Sequence, residues 1–204
     1  KPVKPTLDCE VAYEYSLPLN AAELRTYPGK RVSDWEVRKG AYWNVFSGGF
    51  GHTYGHRNLI GWVRAGEAPL KHGADRPWFE SLDAPGAIQM RWFRALVASI
   101  PAEDRMPDQS ILAEEQPRDG NDDYASALMH RRGSRALVYL PSGKPIEIAL
   151  DRLSGDEARA SWFNPRNGTT QAASDHPTKG AHRFAPPSSG DGQDWVLVLD
   201  TKKH

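Results

Sequence analysis

Apolar positions in the first half of the chain alternate between strand-like and helix-like spacing. Residues 5–14 open with Thr6, Asp8 and Glu10 on one face and Leu7, Cys9 and Val11 on the other, the two-residue period of a strand with one apolar side. The polar side suits the wall of a site. Ser33-Asp-Trp-Glu36 is a capping box, predicting a helix that runs to about Ser47, draws bulk from Trp35, Val37, Tyr42, Val45 and Phe46, and stops at Gly48-Gly49. Phe50-Gly-His-Thr-Tyr-Gly-His56 reads as a second short strand. After a polar, glycine-rich stretch, Asp83-Ala-Pro85 starts a second helix in which Met90, Phe93, Leu96, Val97 and Ile100 recur at helical spacing.

Periodicity breaks over residues 100–122, where Pro101, the acidic stretch Glu103 to Asp108 and the polar run from Gln116 to Asp123 intervene. Beyond this boundary come short alternating runs at Tyr124–His130, Ser134–Leu140, Pro145–Leu150, Ala158–Phe163, His182–Phe184 and Trp195–Asp200. Turn signals at Arg132-Gly133, Pro141-Ser-Gly143, Ser154-Gly155 and Asn164 to Gly168 separate them. The expected fold class is therefore α/β followed by all-β, with residues 1–103 as strand, helix, strand, helix and residues 104–204 as a small antiparallel β-sandwich.

Composition narrows the function classes. The 204 residues carry 26 Lys plus Arg against 26 Asp plus Glu, a formal net charge of +0, so the basic field that drives phosphate-backbone binding is missing and no nucleic-acid partner is expected. No run approaches the ~18 consecutive apolar residues of a membrane span, and Lys-Pro-Val-Lys-Pro-Thr at the start is not a signal core. No membrane partner is expected, and any targeting segment is missing or removed. The single cysteine, Cys9, excludes an internal disulfide and a multi-cysteine zinc site; it reads as a buried small apolar side chain or a lone reactive thiol. Among seven Trp, seven Tyr and six Phe, the residues Trp35, Trp43, Trp62 and Trp78 stand beside polar or glycine-rich segments, where aromatic faces either fill a core or stack on planar groups such as sugar rings.

The carboxylates Asp8, Glu10 and Glu14 carry the strongest chemical signal. They lie at the C-terminal end of a strand feeding an α/β layer, where parallel folds concentrate catalytic groups. Glycoside hydrolysis needs one carboxylate to attack or stabilise the anomeric carbon and one carboxylic acid to protonate the leaving oxygen. The alternative is a salt-bridged acidic strand end. His52 and His56 stand four residues apart between glycines; that setting favours hydrogen bonding from a sheet mouth, or structural histidines, over zinc binding, and no metal is expected. Asp119 to Asp123 resembles the start of a calcium loop, but Tyr124 stands where glycine is required and His130 where a bidentate Glu belongs. Asn167-Gly-Thr169 is a formal glycosylation acceptor and reads more simply as a tight turn.

Several ordered motifs carry a resemblance. Lys4-Pro-Thr-Leu-Asp-Cys-Glu-Val-Ala-Tyr-Glu14, Val37 to Trp43, Phe50 to His56 and Trp78 to Gln89 resemble the C-terminal half of the apiosidase-like glycoside hydrolases. Pro107 to Leu112, Ala136 to Pro141, Trp162 to Gly168 and Asp194 to Asp200 resemble the β-domain that follows the barrel in that family, often labelled a collagen-binding domain of a collagenase. The resemblance implies the C-terminal part of a (β/α)₈ TIM barrel followed by an antiparallel β-sandwich, and a carbohydrate substrate such as a plant pectic side chain, with no cofactor. Asp8-Cys-Glu10 is similar to the family's Asp-Gly-Glu at the end of the seventh strand, which implies that Glu10 is the catalytic nucleophile, with Glu14 in reserve. Asp8, Glu14, His52, Tyr54 and His56 are then substrate-binding residues, and Cys9 departs from the usual glycine.

A complete barrel takes about 250 residues, so residues 1–100 supply only about two of its eight units. The acid/base carboxylate is expected on another part of the protein, and the missing N-terminal barrel units are the expected partner. The family implies a periplasmic or extracellular location. The rival reading is a non-catalytic carbohydrate- or protein-binding module.

Overall fold

A computed structural model describes residues 4–9, 12–17, 30–67, 73–117 and 121–202. In chain order these form β1 (Leu7–Asp8), α1 (Asp34–Phe46), β2 (Gly51–His52), α2 (Arg57–Gly61) and α3 (Pro85–Val97), followed by β3 (Arg105–Pro107), β4 (Ser126–His130), β5 (Arg135–Leu140), β6 (Ile146–Ala149), β7 (Glu157–Phe163), β8 (Thr170–Pro177), β9 (Ala181–Phe184) and β10 (Trp195–Lys202). The fold is mixed α/β with a mostly antiparallel sheet. That sheet has six strands in the order β3-β4-β5-β10-β7-β8; β6 and β9 form a separate antiparallel ladder, and β1 pairs with β2 in parallel.

The central strands explain how one sheet supports two cores. Along β10, Trp195, Leu197 and Leu199 enter one apolar cluster with Ala136, Val138 and Leu140 of β5, roofed by Ile146 and Ile148 of β6 and Phe184 of β9. The alternate residues Val196 and Val198, with Leu137 and Tyr139, enter the other cluster, roofed by Tyr42, Val45 and Phe46 of α1 and Phe93, Leu96 and Val97 of α3. Strands buried on both faces read as unbroken apolar runs, as Trp195–Leu199 does. The chain passes the expected boundary near residue 104, yet the two sides share this second core. Trp35 and Trp43 tie them further, their indole N–H groups donating to the carbonyls of Pro141 at 2.9 Å and Tyr124 at 2.8 Å.

The two expected helices, α1 and α3, begin where their sequences dictate. Ser33 Oγ accepts from the Glu36 N–H while the Glu36 carboxylate accepts from the Ser33 N–H, completing the box at the start of α1. Pro85 opens α3, but Ala84 stands at its cap and supplies no side-chain acceptor. The short helix α2, capped by His56, was not expected.

Two expectations are corrected. The strand expected over residues 5–14 is confined to Leu7–Asp8 among the described residues. Its polar side turns inward: Asp8 is buried, whereas Leu7 and Cys9 are exposed, because Asp8 finds a buried partner in His52 of β2. The long strand β8 was also missed.

Candidate active site

The backbone first brings Glu14 alongside His56. The two form a parallel bridge beyond the β1–β2 pair, with the Glu14 N–H donating to Gly55 O and the Arg57 N–H donating to Glu14 O, each at 2.9 Å. Tyr15 follows with φ of 68°, left-handed backbone that costs a non-glycine residue energy and that clusters at functional sites. Its carbonyl accepts from Arg31 at 2.8 Å, and its ring stacks on His56 with 5.7 Å between centroids and 6° between planes.

The Glu14 side chain is only 6% exposed. Its Oε2 accepts from the Tyr54 hydroxyl at 2.6 Å and from the Gly86 N–H at 3.0 Å. Gly86 lies in the first turn of α3, where unpaired N–H groups and the helix dipole favour an anion. Glu14 therefore supplies the acceptor that Ala84 cannot. Burial pushes the Glu14 pKa up and Asp34 adds to the rise, opposed by the hydrogen bonds from Tyr54 and Gly86 and by the Arg38 charge. Burial, together with Glu14 itself, pushes the Tyr54 pKa up as well.

Glu14 opens on a cleft of about 280 Å³ shared with Tyr15, His56, Asn58, Arg76 and Asp83. Burial, then the neighbouring Arg76, lowers the His56 pKa. Its Nδ1 accepts from the Asn58 N–H at 3.2 Å, which leaves the proton of the neutral ring on Nε2. The cleft thus gathers a buried carboxyl whose pKa is raised, an imidazole whose pKa is lowered, and a guanidinium.

Of the sequence-predicted residues, Glu14 and Tyr54 are in direct contact and His56 lines the same cleft. Asp8 and His52 form a separate buried pair, Oδ2 to Nδ1 at 2.7 Å. His52 Nε2 is buried and unpartnered among the described residues, and its ring lines a different groove of about 390 Å³ with Val45, Phe50, Met90, Phe93 and Arg94. Glu10, the residue expected to be the nucleophile, lies outside the described residues. Sequence reasoning did not single out Tyr15, Asn58, Arg76 or Gly86; for Gly86 the signal was its place behind Pro85 at a helix start without a capping side chain. Among the described residues no three His, Cys, Asp or Glu side chains come together as a metal-ligand set.

A buried carboxyl beside a polar cleft, held between a parallel strand pair and a helix that packs on an antiparallel sheet, describes a glycoside hydrolase-like protein, and solved structures share this fold. A structure titled "Glycoside hydrolase" superposes with a TM-score of 0.88 at 31% identity, covering 99% of this chain and 43% of that one. A glycoside hydrolase family 5 structure from Bacteroides vulgatus ATCC 8482 gives 0.87 at 32% identity, with 98% and 42% covered. The chain thus spans less than half the length of either. Residues 1–104 match the family described as "Apiosidase-like, catalytic domain", and residues 106–200 match "Putative collagen-binding domain of a collagenase". The chain belongs to the apiosidase-like family. No curated protein matches it.

Proposed function

We propose that this chain is the C-terminal part of a glycoside hydrolase acting on plant-type polysaccharide or oligosaccharide side chains. On this reading residues 1–103 are the last units of a (β/α)₈ barrel and residues 104–204 are a β-sandwich packed against it. The observation that carries the reading is Glu14: a buried carboxyl with a raised pKa, at the end of a parallel strand pair, facing a polar cleft. Perturbed carboxyls in clefts mark acid–base sites.

Glu10, four residues earlier, supplies the nucleophilic carboxylate. As the glycosidic C–O bond breaks, Glu10 bonds to the anomeric carbon and the leaving oxygen takes a proton from a carboxylic acid on the missing barrel units. Glu14, fixed through Oε2, keeps its proton to a higher pH than an ordinary carboxyl and offers it to a sugar oxygen, while His56 donates from Nε2. Export to the periplasm or the cell exterior belongs with this activity.

The remaining barrel units dock along β2 and α3. Exposed Leu7 and Phe50, at 43% and 63%, and the groove that holds the unpartnered His52 Nε2 support this, as does the 43% span of the similar structure. The test is activity on aryl glycosides and pectic oligosaccharides in the assembly with those units. Glu10→Gln is expected to lower kcat by several powers of ten, and activity within a few-fold of the parent removes Glu10 from the mechanism. The chain alone is expected to self-associate; a monodisperse, active monomer of 22.7 kDa overturns the partner requirement.

A further inference from the structure

We infer that the β-half is a working part of the Glu14 site, and that the pair Arg38–Asp194 is the positioning device through which it acts. Asp194, immediately before β10, is fully buried. Its carboxylate accepts from Arg38 Nε at 3.0 Å and Nη2 at 2.9 Å, a two-pronged contact that fixes the guanidinium plane. The Tyr139 hydroxyl of β5 donates to Asp194 at 3.2 Å, and Arg166 lies 4.0 Å away. The third guanidinium nitrogen, Nη1, faces the helices: it donates at 2.5 Å to Asp34 and at 2.5 Å to Gln89 Oε1. Gln89 Nε2 returns a bond to Asp34 at 2.9 Å.

Gln89 stands three residues after Gly86, on the same face of α3. Holding Gln89 therefore holds the rotation of the first turn, which aims the Gly86 N–H at Glu14. That aim has little slack, because a Cβ on Gly86 would sit 2.4 Å from Glu14 Oε2. Asp34 and Asp194 are balanced by Arg38 and Arg166, so the network is formally neutral. An ordinary docking contact between two halves would need none of the bonds to Gln89.

The inference rests on the reading of Glu14 as a site residue, yet its test does not require turnover. In the chain of 204 residues, amide hydrogen exchange at Gly86 is compared among the parent, Asp194→Asn and Gln89→Met, with Val138 and Leu197 as core references. Gln89→Met conserves volume and cuts only the link to α3, so it serves if Asp194→Asn does not fold. Each variant is expected to speed exchange at Gly86 at least tenfold while the references hold. The double variant is expected to match Gln89→Met alone, since both act along one path. Gly86 exchange unchanged in a folded variant, or additive effects in the double, overturns the inference. If exchange responds as expected but Glu14→Gln leaves the assembly's activity and its pH profile untouched, the clamp stands and the role of Glu14 in catalysis falls.

Discussion

Cutting the chain at residue 104 tests whether its two family-matched halves are separable units. The six-stranded sheet would then lose α1 and α3 from one face, baring Leu128, Leu137, Tyr139, Phe163, Val196 and Val198. Fully burying such a side chain is worth about 1.5–3 kcal/mol, so exposing even half of the surface of these six forfeits roughly 5–9 kcal/mol. A domain of ordinary stability has only about 5–15 kcal/mol in total. Tyr139 also loses its stacking on Tyr42, whose ring lies 4.4 Å away at 7°, a pair worth roughly 0.5–1.5 kcal/mol more. Residues 104–204 expressed alone are therefore expected to bind a hydrophobic dye and to lose near-ultraviolet circular dichroism, whereas the full chain unfolds in one transition. A soluble monomer of the cut fragment, unfolding cooperatively with a midpoint near that of the full chain, would refute the shared-core argument.

Two further predictions concern the site itself. Gly86→Ala places a Cβ 2.4 Å from Glu14 Oε2 and 3.1 Å from Tyr54 Cε2; displacing the carboxyl weakens two hydrogen bonds to a buried acceptor and leaves their donors poorly paired, which outweighs the ~1 kcal/mol that Ala gains over Gly in a helix. A net loss of roughly 1–3 kcal/mol in urea denaturation is expected, and a variant as stable as the parent would rule out the tight approach. For Glu14→Gln the effect depends on pH. Native Glu14 holds its proton above the unfolded value of 4.5, chiefly because it is buried, so the native state binds more protons than the unfolded state in that window and the stability due to this group falls as pH rises through the native value. Glu14→Gln removes the dependence, so the variant should gain stability on the parent as pH rises from 4.5 through the native value; stability–pH curves that run parallel would contradict the raised pKa.

Local pattern was enough wherever a residue's partners lie close in sequence. The capping box at Ser33–Glu36 closes over three residues, Pro85 needs no partner to open α3, and Asn167-Gly168 forms the expected turn, with Gly168 at φ 74° and the Asn167 side chain accepting from the Thr169 N–H. Strand β8 was invisible for the complementary reason: at the sheet edge, nearly all of its residues are exposed, so no apolar alternation marks it.

The candidate site depends on long-range partners. Glu14 meets Tyr54 and Gly86 across 40 and 72 residues, and Arg38 meets Asp194 across 156. An arginine on an amphipathic helix reads as solvent-facing until a buried anion is known to await it, and an aspartate ahead of an apolar strand reads as a turn residue until the cation is known. Losing either one takes from the other its two-pronged partner, leaving Arg38 with Asp34 and Asp194 with Arg166, and removing one member of a buried pair costs several kcal/mol. Each half therefore carries a buried charge whose best-matched partner lies in the other half. The same dependence places the β-half beside Glu14, so the helices that present the cleft and the sheet that steadies them are better treated as one chemical unit than as an enzyme with a binding module attached.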